Sequence, residues 1–231
     1  MNLLSIDSSS SVLSVAVSCG DNIYYTETDA GMKHSELIMD CIACQMEKAF
    51  IKPCDLNGVL CMGGPGSFTG LRIGYSIAKG LCLSLSIPFA PVPTLDCIAE
   101  SVIKNEDTDL VLAVIEARKN AYFYSFFKRG QKITADNDAD SMQMTTEIEE
   151  YIKKLKKISL TGPGSDIFYN SLPDYLKESI ILKKKTMGYA KEIISIAKSR
   201  KILDNDNTVY LYSGPEYLRK TDAEIALKQG F

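Results

Sequence analysis

The chain has 231 residues, of which 45% are hydrophobic and 24% are charged, a composition that suits a globular protein with a sizeable core. Its 26 basic and 29 acidic side chains give a formal net charge of -3, which argues against a protein that binds nucleic acid by itself, because such binding depends on clustered lysine and arginine. Since the sequence shows no signal peptide and no apolar run of about 18 residues, we expect a cytoplasmic protein without a membrane span, whose seven cysteines stay reduced.

The first half of the chain is predicted to open with three antiparallel strands and to continue with helices and further strands. Short buried or alternating runs bounded by turn residues predict the strands, and apolar residues at three- and four-residue steps predict the helices. The predicted elements are strands at 2–7, 12–17, 23–28 and 58–63, helices at about 34–50, 71–85 and 94–103, and a short strand or linker at 87–93. Thr94 is expected to cap the third of these helices.

The second half begins near Asp107 and repeats roughly the same order of elements. The predicted elements are strands at 110–115, 121–127, 132–135, 158–161 and 180–182, and helices at 145–155 and 189–200. Because no sequence repeat is evident, the prediction of two ribonuclease-H-like halves, residues 1–104 and 105–231, depends on element order alone. The charged tail from Arg219 has weak periodicity, and we expect it either to pack back on the protein or to be mobile.

The most informative segment is the glycine-rich loop from Gly63 to Gly74, which joins a buried strand to a helix. Glycine tolerates positive φ and lets other backbone approach closely, and a helix N-terminus offers N–H groups to a phosphate or a carboxylate. The lysine of a Walker A loop is missing, and the spacing is not that of the dinucleotide fingerprint. The pattern leaves two interpretations open: an anion-binding turn, or a tight turn needed only to pack the helix on the sheet.

Two further positions could contribute to such a site. Asp7 ends the first predicted strand and is followed by four serines, which could hold a phosphate or Mg²⁺, or could form a polar hairpin turn that Asp7 caps. Arg118 follows another predicted strand and could contact an anion, with a solvated turn as the alternative. The candidate phosphate- or nucleotide-binding residues are Asp7, Ser8, Ser9, Gly64, Gly66, Ser67, Thr69 and Arg118.

The single histidine limits the chemistry that the chain can support. A metal site with two or three histidines cannot be built, and no G-x-S-x-G turn marks a nucleophilic serine, so we predict neither a metal site nor a catalytic residue. His34 stands at the start of a predicted helix, where capping is the simpler role. Cys41 and Cys44 form a C-x-x-C pair in the same helix, but without a second pair at zinc spacing, burial is favoured over metal or redox chemistry.

The loop Gly64–Gly74 resembles the signature of the TsaB (YeaZ) family. Supporting matches follow the family order along almost the whole chain, at Ile6–Ser9, His34–Glu36, Pro93–Leu95, Glu116–Arg118 and Pro215–Arg219. Glu116 stands where aspartate is more usual in that family. The resemblance implies an α/β protein of the actin/sugar-kinase/Hsp70-like fold, with two ribonuclease-H-like halves.

The resemblance also implies a function, that of a required, non-catalytic partner of TsaD in forming N6-threonylcarbamoyladenosine at position 37 of tRNAs that read codons beginning with A. TsaD carries out the transfer from threonylcarbamoyl-adenylate, and an ATPase called TsaE joins the complex. This chain would need no cofactor of its own and would reach tRNA only through the complex, within which ATP or ADP could bind. TsaD-like proteins hold a metal with paired histidines on the first-domain helix, whereas here His34 is followed four residues later by Ile38.

The predicted helix at 71–85 is apolar on nearly every face, which indicates a partner surface. One stripe must face its own sheet, so the remaining apolar surface would be exposed unless a partner covers it. We expect this helix and the one at 34–50 to bind a TsaD-like subunit, or a second copy of the chain as a homodimer; burial within the fold is the alternative. The candidate partner-binding residues are His34, Leu37, Ile38, Cys41, Leu71, Arg72, Tyr75, Ile77, Ala78 and Leu81.

The competing function is an independent nucleotide-dependent phosphotransferase or peptidase of the same fold.

Overall fold

The computed structural model describes residues 1–103, 110–153, 157–184, 188–204 and 208–218. The strands are β1 Leu3–Asp7, β2 Val12–Cys19, β3 Asn22–Asp29, β4 Gly58–Met62, β5 Phe89–Val92, β6 Leu110–Arg118, β7 Ala121–Lys128, β8 Gln131–Lys132, β9 Asn137–Asp140, β10 Ile158–Thr161 and β11 Ile180–Lys183. The helices are α1 His34–Lys48, α2 Phe68–Leu85, α3 Thr94–Ile103, α4 Ser141–Ile152, α5 Ser165–Ser171, α6 Asp174–Lys177, α7 Ala190–Ser199 and α8 Thr208–Tyr212. Within the described residues, no helix combines the length and the apolar character needed to cross a membrane.

Strand pairing produces two sheets with the same internal order. In the first sheet, β3-β2-β1-β4-β5, β1 pairs antiparallel with β2 and parallel with β4. In the second sheet, β11-β10-β6-β7-β8, β6 pairs antiparallel with β7 and parallel with β10, and β9 adds to β7. Three antiparallel strands extended by two parallel strands therefore occur twice. This topology confirms the predicted ribonuclease-H-like halves and the actin/sugar-kinase/Hsp70-like fold.

The helices α3 and α7 lie between the two sheets and form the central core with them. Ile98 on α3 and Ile193 on α7 are completely buried in this core, which also includes residues of β1, β4 and β6. Although α7 follows the second sheet in the sequence, it packs against β1 and β2 of the first sheet. The hydroxyl of Ser5 on β1 donates a 2.7 Å hydrogen bond to the carbonyl of Ala190 on α7. The two parts of the chain are therefore interlocked through α7. The predicted boundary at residue 104 lies outside the described residues.

The outer face of each sheet is covered by its own helices. On the first sheet, Tyr75, Ala78 and Cys82 recur at three- and four-residue steps along α2 and pack with Ile38 and Ile42 of α1 over β1. On the second sheet, α4, α5 and α6 cover the opposite outer face. The apolar stripe of α2 is thus buried, and the rest of that helix is left for other contacts.

The C-terminal part of the described chain returns to the first half. Helix α8 lies beside β5, and the segment that follows it, residues 213–218, runs along α2 towards the glycine-rich loop; we call this segment the strap. The Lys79 side chain donates a hydrogen bond to the Ser213 carbonyl, and the Glu216 N–H donates a 2.8 Å bond to the Gly63 carbonyl. The tail from Arg219, which was predicted either to pack back on the protein or to be mobile, lies outside the described residues.

Several predicted boundaries were wrong, and hydrogen bonds at helix starts explain two of them. Helix α2 begins at Phe68 rather than Leu71, because the Ser67 hydroxyl accepts a hydrogen bond from the N–H of Gly70 and caps the earlier turn. Helix α4 begins near residue 141 rather than 145, because the Asp140 carboxylate accepts hydrogen bonds from the N–H groups of Met142 and Gln143. The predicted cap at Thr94 was also wrong, because Thr94 is the first residue of α3 and its hydroxyl has no hydrogen-bond partner among the described residues. Strand β9 and helices α5, α6 and α8 were not predicted.

Candidate functional site

The glycine-rich loop is held in place by its own backbone. Four hydrogen bonds of 2.7 to 2.8 Å fix it: Gly63 N–H to the Val92 carbonyl, Thr94 N–H to the Gly64 carbonyl, Ser67 N–H to the Ser9 carbonyl, and Glu216 N–H to the Gly63 carbonyl. A Cβ on Gly64, where φ is +109°, would collide with the Glu216 carbonyl, and a Cβ on Gly70 would collide with the Ser8 carbonyl. The loop glycines are therefore required for close packing, and anion binding stays a prediction.

Asp7 lies beneath the loop and is completely buried. One carboxylate oxygen accepts hydrogen bonds from the N–H of Ser9 at 3.0 Å and from its hydroxyl at 2.7 Å, and the other oxygen accepts from the N–H of Tyr189 at 2.9 Å. Ser8 is also buried, and its hydroxyl donates to the Gly70 carbonyl at 2.8 Å. Burial, followed by the charge of Asp7, raises the pKa of the Tyr189 phenol. A Mg²⁺ ion at Asp7 would have to compete with these protein donors for the carboxylate oxygens.

A cleft of about 590 Å³ opens between the two halves, above Asp7. Four of the predicted anion-binding residues line it: Ser9, Gly66, Ser67 and Arg118. The other four do not, since Asp7 and Ser8 lie beneath it, Gly64 contacts the strap, and Thr69 faces a groove on the other side of the loop. The structure thus brings together half of the predicted set.

The charges around the cleft do not complement a polyphosphate. Among the described residues that line it, the charged side chains are Glu116, Arg118 and Glu216, which together carry more negative than positive charge. The buried Thr94 hydroxyl also lines the cleft and has no hydrogen-bond partner among the described residues. Among its described lining residues, the cleft therefore offers one cation, Arg118, to a phosphate group, and nucleotide binding stays a prediction.

A second Gly-Pro-Gly-Ser turn faces the glycine-rich loop across the cleft. Gly162–Ser165 follows β10 and leads into α5, just as Gly64–Ser67 follows β4 and leads into α2. In the first half the Ser67 N–H donates to the carbonyl of Ser9, in the turn after β1, and in the second half the Glu116 N–H, near the end of β6, donates to the Pro163 carbonyl at 2.8 Å. The repeated tetrapeptide Gly-Pro-Gly-Ser is the sequence signal that would have revealed this equivalence.

A groove of about 470 Å³ lies on the outer side of the first half, between α1 and α2. Its lining combines apolar and polar side chains: Ser35, Phe68, Thr69, Arg72, Ile73, Ser76 and Ile77. Leu37, Cys41 and Leu81 lie on the same two helices and are half-buried. Burial is the main cause that raises the pKa of the Cys41 thiol. Leu83 adds a side chain that is 67% exposed.

The structure corrects part of the predicted partner surface. Five of the ten candidates are buried in the protein's own core: His34, Ile38, Leu71, Tyr75 and Ala78. The reason is helical periodicity, because residues at three- and four-residue steps share the face that packs on the sheet. Direct contact with a partner stays a prediction for Arg72 and Ile77, which line the groove, and for Leu37, Cys41 and Leu81.

An aromatic stack lies between the cleft and the groove, and the sequence interpretation did not single it out. The rings of Phe68 and Tyr217 have centroids 4.9 Å apart, and the Arg72 guanidinium carbon lies 3.8 Å from the Phe68 centroid. The Arg72 Nε–H donates a 3.2 Å hydrogen bond to the Tyr217 hydroxyl. We call these three residues the stack. The signal available in the sequence was that Phe68 and Arg72 lie in the family-like motif Gly64–Gly74 and Tyr217 lies in the motif Pro215–Arg219.

The described residues contain no group of three or more His, Cys, Asp or Glu that could hold a metal ion.

Comparison with known proteins gives concordant results. The family TsaD, described as tRNA N6-adenosine threonylcarbamoyltransferase, matches residues 26–227. The tRNA threonylcarbamoyladenosine biosynthesis protein TsaB of Buchnera aphidicola subsp. Schizaphis graminum is 31% identical over 156 residues, covering 67% of this chain and 74% of the relative. TsaB of Bacillus subtilis is 26% identical over 232 residues, covering 97% and 96%.

The solved structures agree on the fold. YeaZ from Pseudomonas aeruginosa has a TM-score of 0.74 at 18% identity, covering 94% of this chain and 99% of that one. The chain therefore belongs to the TsaD family, described as tRNA N6-adenosine threonylcarbamoyltransferase, and within it to the TsaB proteins.

Proposed function

We propose that this chain is the required, non-catalytic partner of a TsaD-like subunit in forming N6-threonylcarbamoyladenosine at position 37 of tRNAs that read codons beginning with A. The observation that carries the proposal is the similarity to TsaB proteins along 97% of the chain, since these relatives are named for tRNA threonylcarbamoyladenosine biosynthesis. In this assignment the TsaD-like subunit transfers the threonylcarbamoyl group, and a TsaE-like ATPase completes the complex in the cytoplasm.

The non-catalytic role is supported by the environments of the residues best suited to chemistry. Asp7 is buried and accepts hydrogen bonds from Ser9 and Tyr189, so its carboxylate is directed into the protein. His34 is buried at the start of α1, and Ile38, one turn later, packs in the core where a second histidine would be needed for a paired-histidine motif. The carboxylate of Asp7 thus has structural partners in place of a substrate.

The groove between α1 and α2 is the proposed docking surface for the TsaD-like subunit. Ile73 and Ile77 on its α2 side, and Leu81 one turn further, are only half-buried although the sheet-facing stripe of the helix is already packed. Covering such side chains with a partner removes apolar surface from water, which favours association. When the TsaD-like subunit is absent, the same surface would pair with a second copy of this chain.

In the proposed complex, tRNA is bound through the other subunits, in keeping with the net charge of -3 of this chain. ATP or ADP would likewise be bound with residues of a partner, because the cleft contains the cation Arg118 beside two carboxylates among its described residues.

Reconstitution tests the proposal. A TsaD-like subunit, a TsaE-like ATPase and unmodified tRNA would be incubated with ATP and threonylcarbamoyl-adenylate, with and without this chain, and the modified nucleoside measured by mass spectrometry. We expect modification only when the chain is present. Equal modification in its absence would overturn the required role, and ATP turnover or peptide cleavage by the isolated chain would favour an independent enzyme.

A further inference from the structure

Phe68 lines two separate cavities. It lines the cleft between the halves, and it also lines the groove between α1 and α2. Its two partners in the stack line different cavities: Tyr217 lines the cleft, and Arg72 lines the groove. The stack is therefore a direct physical connection between two surfaces that the glycine-rich loop otherwise separates.

The same stack holds one end of the strap. Tyr217 belongs to the strap and is fixed to α2 by the Phe68 ring at 4.9 Å and by the 3.2 Å hydrogen bond from Arg72. The other end is fixed by Lys79, whose amino group donates to the Ser213 carbonyl. Between these ends, the Glu216 N–H bonds to the Gly63 carbonyl. Three side chains of α2, those of Phe68, Arg72 and Lys79, thus attach the strap to this helix, and the Glu216 N–H attaches it to the loop.

The strap in turn forms part of the wall of the cleft. Glu216, Tyr217 and Leu218 all line the cavity, opposite Arg118 of the second half. If the strap leaves the loop, this wall is lost, and the cleft opens on that side.

We propose that the stack couples the groove to the strap, so that a protein partner docked in the groove holds the strap against the glycine-rich loop and keeps the wall of the cleft in place. The inference rests on the proposed function for the identity of the partner, a TsaD-like subunit, and adds a consequence of its binding. The coupling is carried by Arg72 and Phe68, the two members of the stack that line the groove.

The direction of the coupling follows from solvation. Arg72 is exposed and Phe68 is half-buried, so water now competes with the cation–π contact and with the hydrogen bond to Tyr217. A partner in the groove excludes that water, and a desolvated cation–π contact is stronger than an exposed one. Since coupling between two sites is reciprocal, a strap that is loosened must weaken partner binding by the same factor.

The test combines partner affinity with hydrogen exchange of the strap. Calorimetry would measure binding of the TsaD-like subunit to the wild type and to Tyr217→Ala and Lys79→Met, which loosen opposite ends of the strap and replace no residue that lines the groove. Tyr212→Ala is the control, because Tyr212 lies just before the strap and is 91% exposed. Hydrogen exchange would follow the amides of residues 213–218 with and without the subunit.

We expect about fivefold weaker binding for both strap variants, unchanged binding for the control, and slower exchange of the strap in the wild-type complex. Unchanged exchange together with wild-type affinity of both variants would overturn the coupling and leave the proposed function intact. Weaker binding by Tyr217→Ala alone, without slower exchange, would indicate a direct contact and would also overturn it. Failure of the wild type to bind the subunit would overturn both proposals.

Discussion

The carboxylate of Asp7 accepts a 2.9 Å hydrogen bond from the backbone N–H of Tyr189, a residue 182 positions later in the chain. Its second oxygen accepts from the N–H and the hydroxyl of Ser9 in the turn that follows β1. A single buried carboxylate therefore joins the first hairpin of one half to the start of α7, the helix that packs between the two sheets. The residue that looked most like a phosphate or magnesium ligand in the sequence connects two distant segments of the fold.

Replacing Asp7 by asparagine should destabilise the protein. An amide has one acceptor oxygen, so its NH₂ group must face either the Tyr189 N–H or the two donors of Ser9, and a buried donor is left opposite another donor. We expect a loss of about 2 to 3 kcal/mol in the free energy of unfolding, measured in urea. Asp21→Asn, in an exposed turn, is the control and should change stability by less than about 0.5 kcal/mol. Equal stability of the two variants would contradict this role of Asp7.

Two glycines of α2 should respond to alanine with opposite signs. A Cβ on Gly70 would collide with the carbonyl oxygen of Ser8, which is backbone and cannot move aside, whereas a Cβ on Gly80 meets nothing within 4 Å. Gly70→Ala should therefore cost about 2 kcal/mol or more, and Gly80→Ala should raise stability by up to about 1 kcal/mol because alanine favours the helix. Thermal unfolding of both variants would measure the difference. A stable Gly70→Ala protein would mean that the close contact does not require glycine.

Much of the fold could be predicted because each half follows simple patterns. Alternation and helical periodicity indicated both sets of strands and the helices that flank them, and the topology followed from their order. The repeated Gly-Pro-Gly-Ser at 64–67 and 162–165 was visible but short, so its equivalence emerged only from the pairing of the strands. The packing of α7 on the first sheet left no local signal, because an apolar stripe does not specify which sheet it covers.

The candidate site was harder to predict than the fold, since burial depends on the whole structure. An apolar helix such as α2 gives no indication of which stripe faces the sheet, so Tyr75 and Ala78 could not be separated from Ile77 in advance. The stack depends on residues 68, 72 and 217, which are brought together only when the strap returns to α2. Sequence patterns report local periodicity and do not report contacts of this kind.

Asp96 should stabilise the junction of the two halves in a pH-dependent way. Its buried carboxylate on α3 forms ion pairs of 2.6 Å with Lys132 of β8 and with Arg200, which follows α7. Because both cations are partly exposed, we expect Asp96→Asn to cost about 2 kcal/mol, less than a fully buried pair would. Urea unfolding at neutral pH would measure the loss.

The pH dependence has a definite sign. Burial lowers the pKa of Lys132, but the hydrogen bonds and charges of Asp136 and Asp96 outweigh it and raise the pKa above the ordinary value of 10.5. The stabilisation is therefore fully present below about pH 10.5 and is lost as the pH rises through the raised pKa. Asp96→Asn should flatten this part of the stability profile. A profile identical to that of the wild type above pH 10 would contradict the contribution of the ion pair.

The cysteines should differ in reactivity according to their burial. Cys44 and Cys54 are exposed, whereas Cys61, Cys82 and Cys97 are buried, and burial raises the pKa of Cys82 to about 11. A thiol-specific reagent at pH 8 should label the two exposed cysteines first and the buried ones only after unfolding. Because the folded pKa of Cys82 is raised from 9.0, its contribution to stability is complete below pH 9 and is lost as the pH rises through about 11. Mass spectrometry of labelled peptides would reveal early labelling of Cys82, which would contradict its burial.

Ile77→Asp should weaken binding of a TsaD-like subunit without unfolding the protein. The side chain lines the groove and is half-buried, so a carboxylate there remains solvated in the free protein but loses its water when a partner covers the groove. We expect an affinity at least about tenfold lower by calorimetry, equivalent to about 1.4 kcal/mol, and a similar effect for Leu81→Asp. Ile133→Asp is the matched control, because Ile133 is 43% exposed in the second half, far in the sequence from either helix of the groove. Circular dichroism would establish that all three variants are folded. If Ile77→Asp and Leu81→Asp are folded and bind as tightly as Ile133→Asp, the partner docks elsewhere and the groove is not the interface.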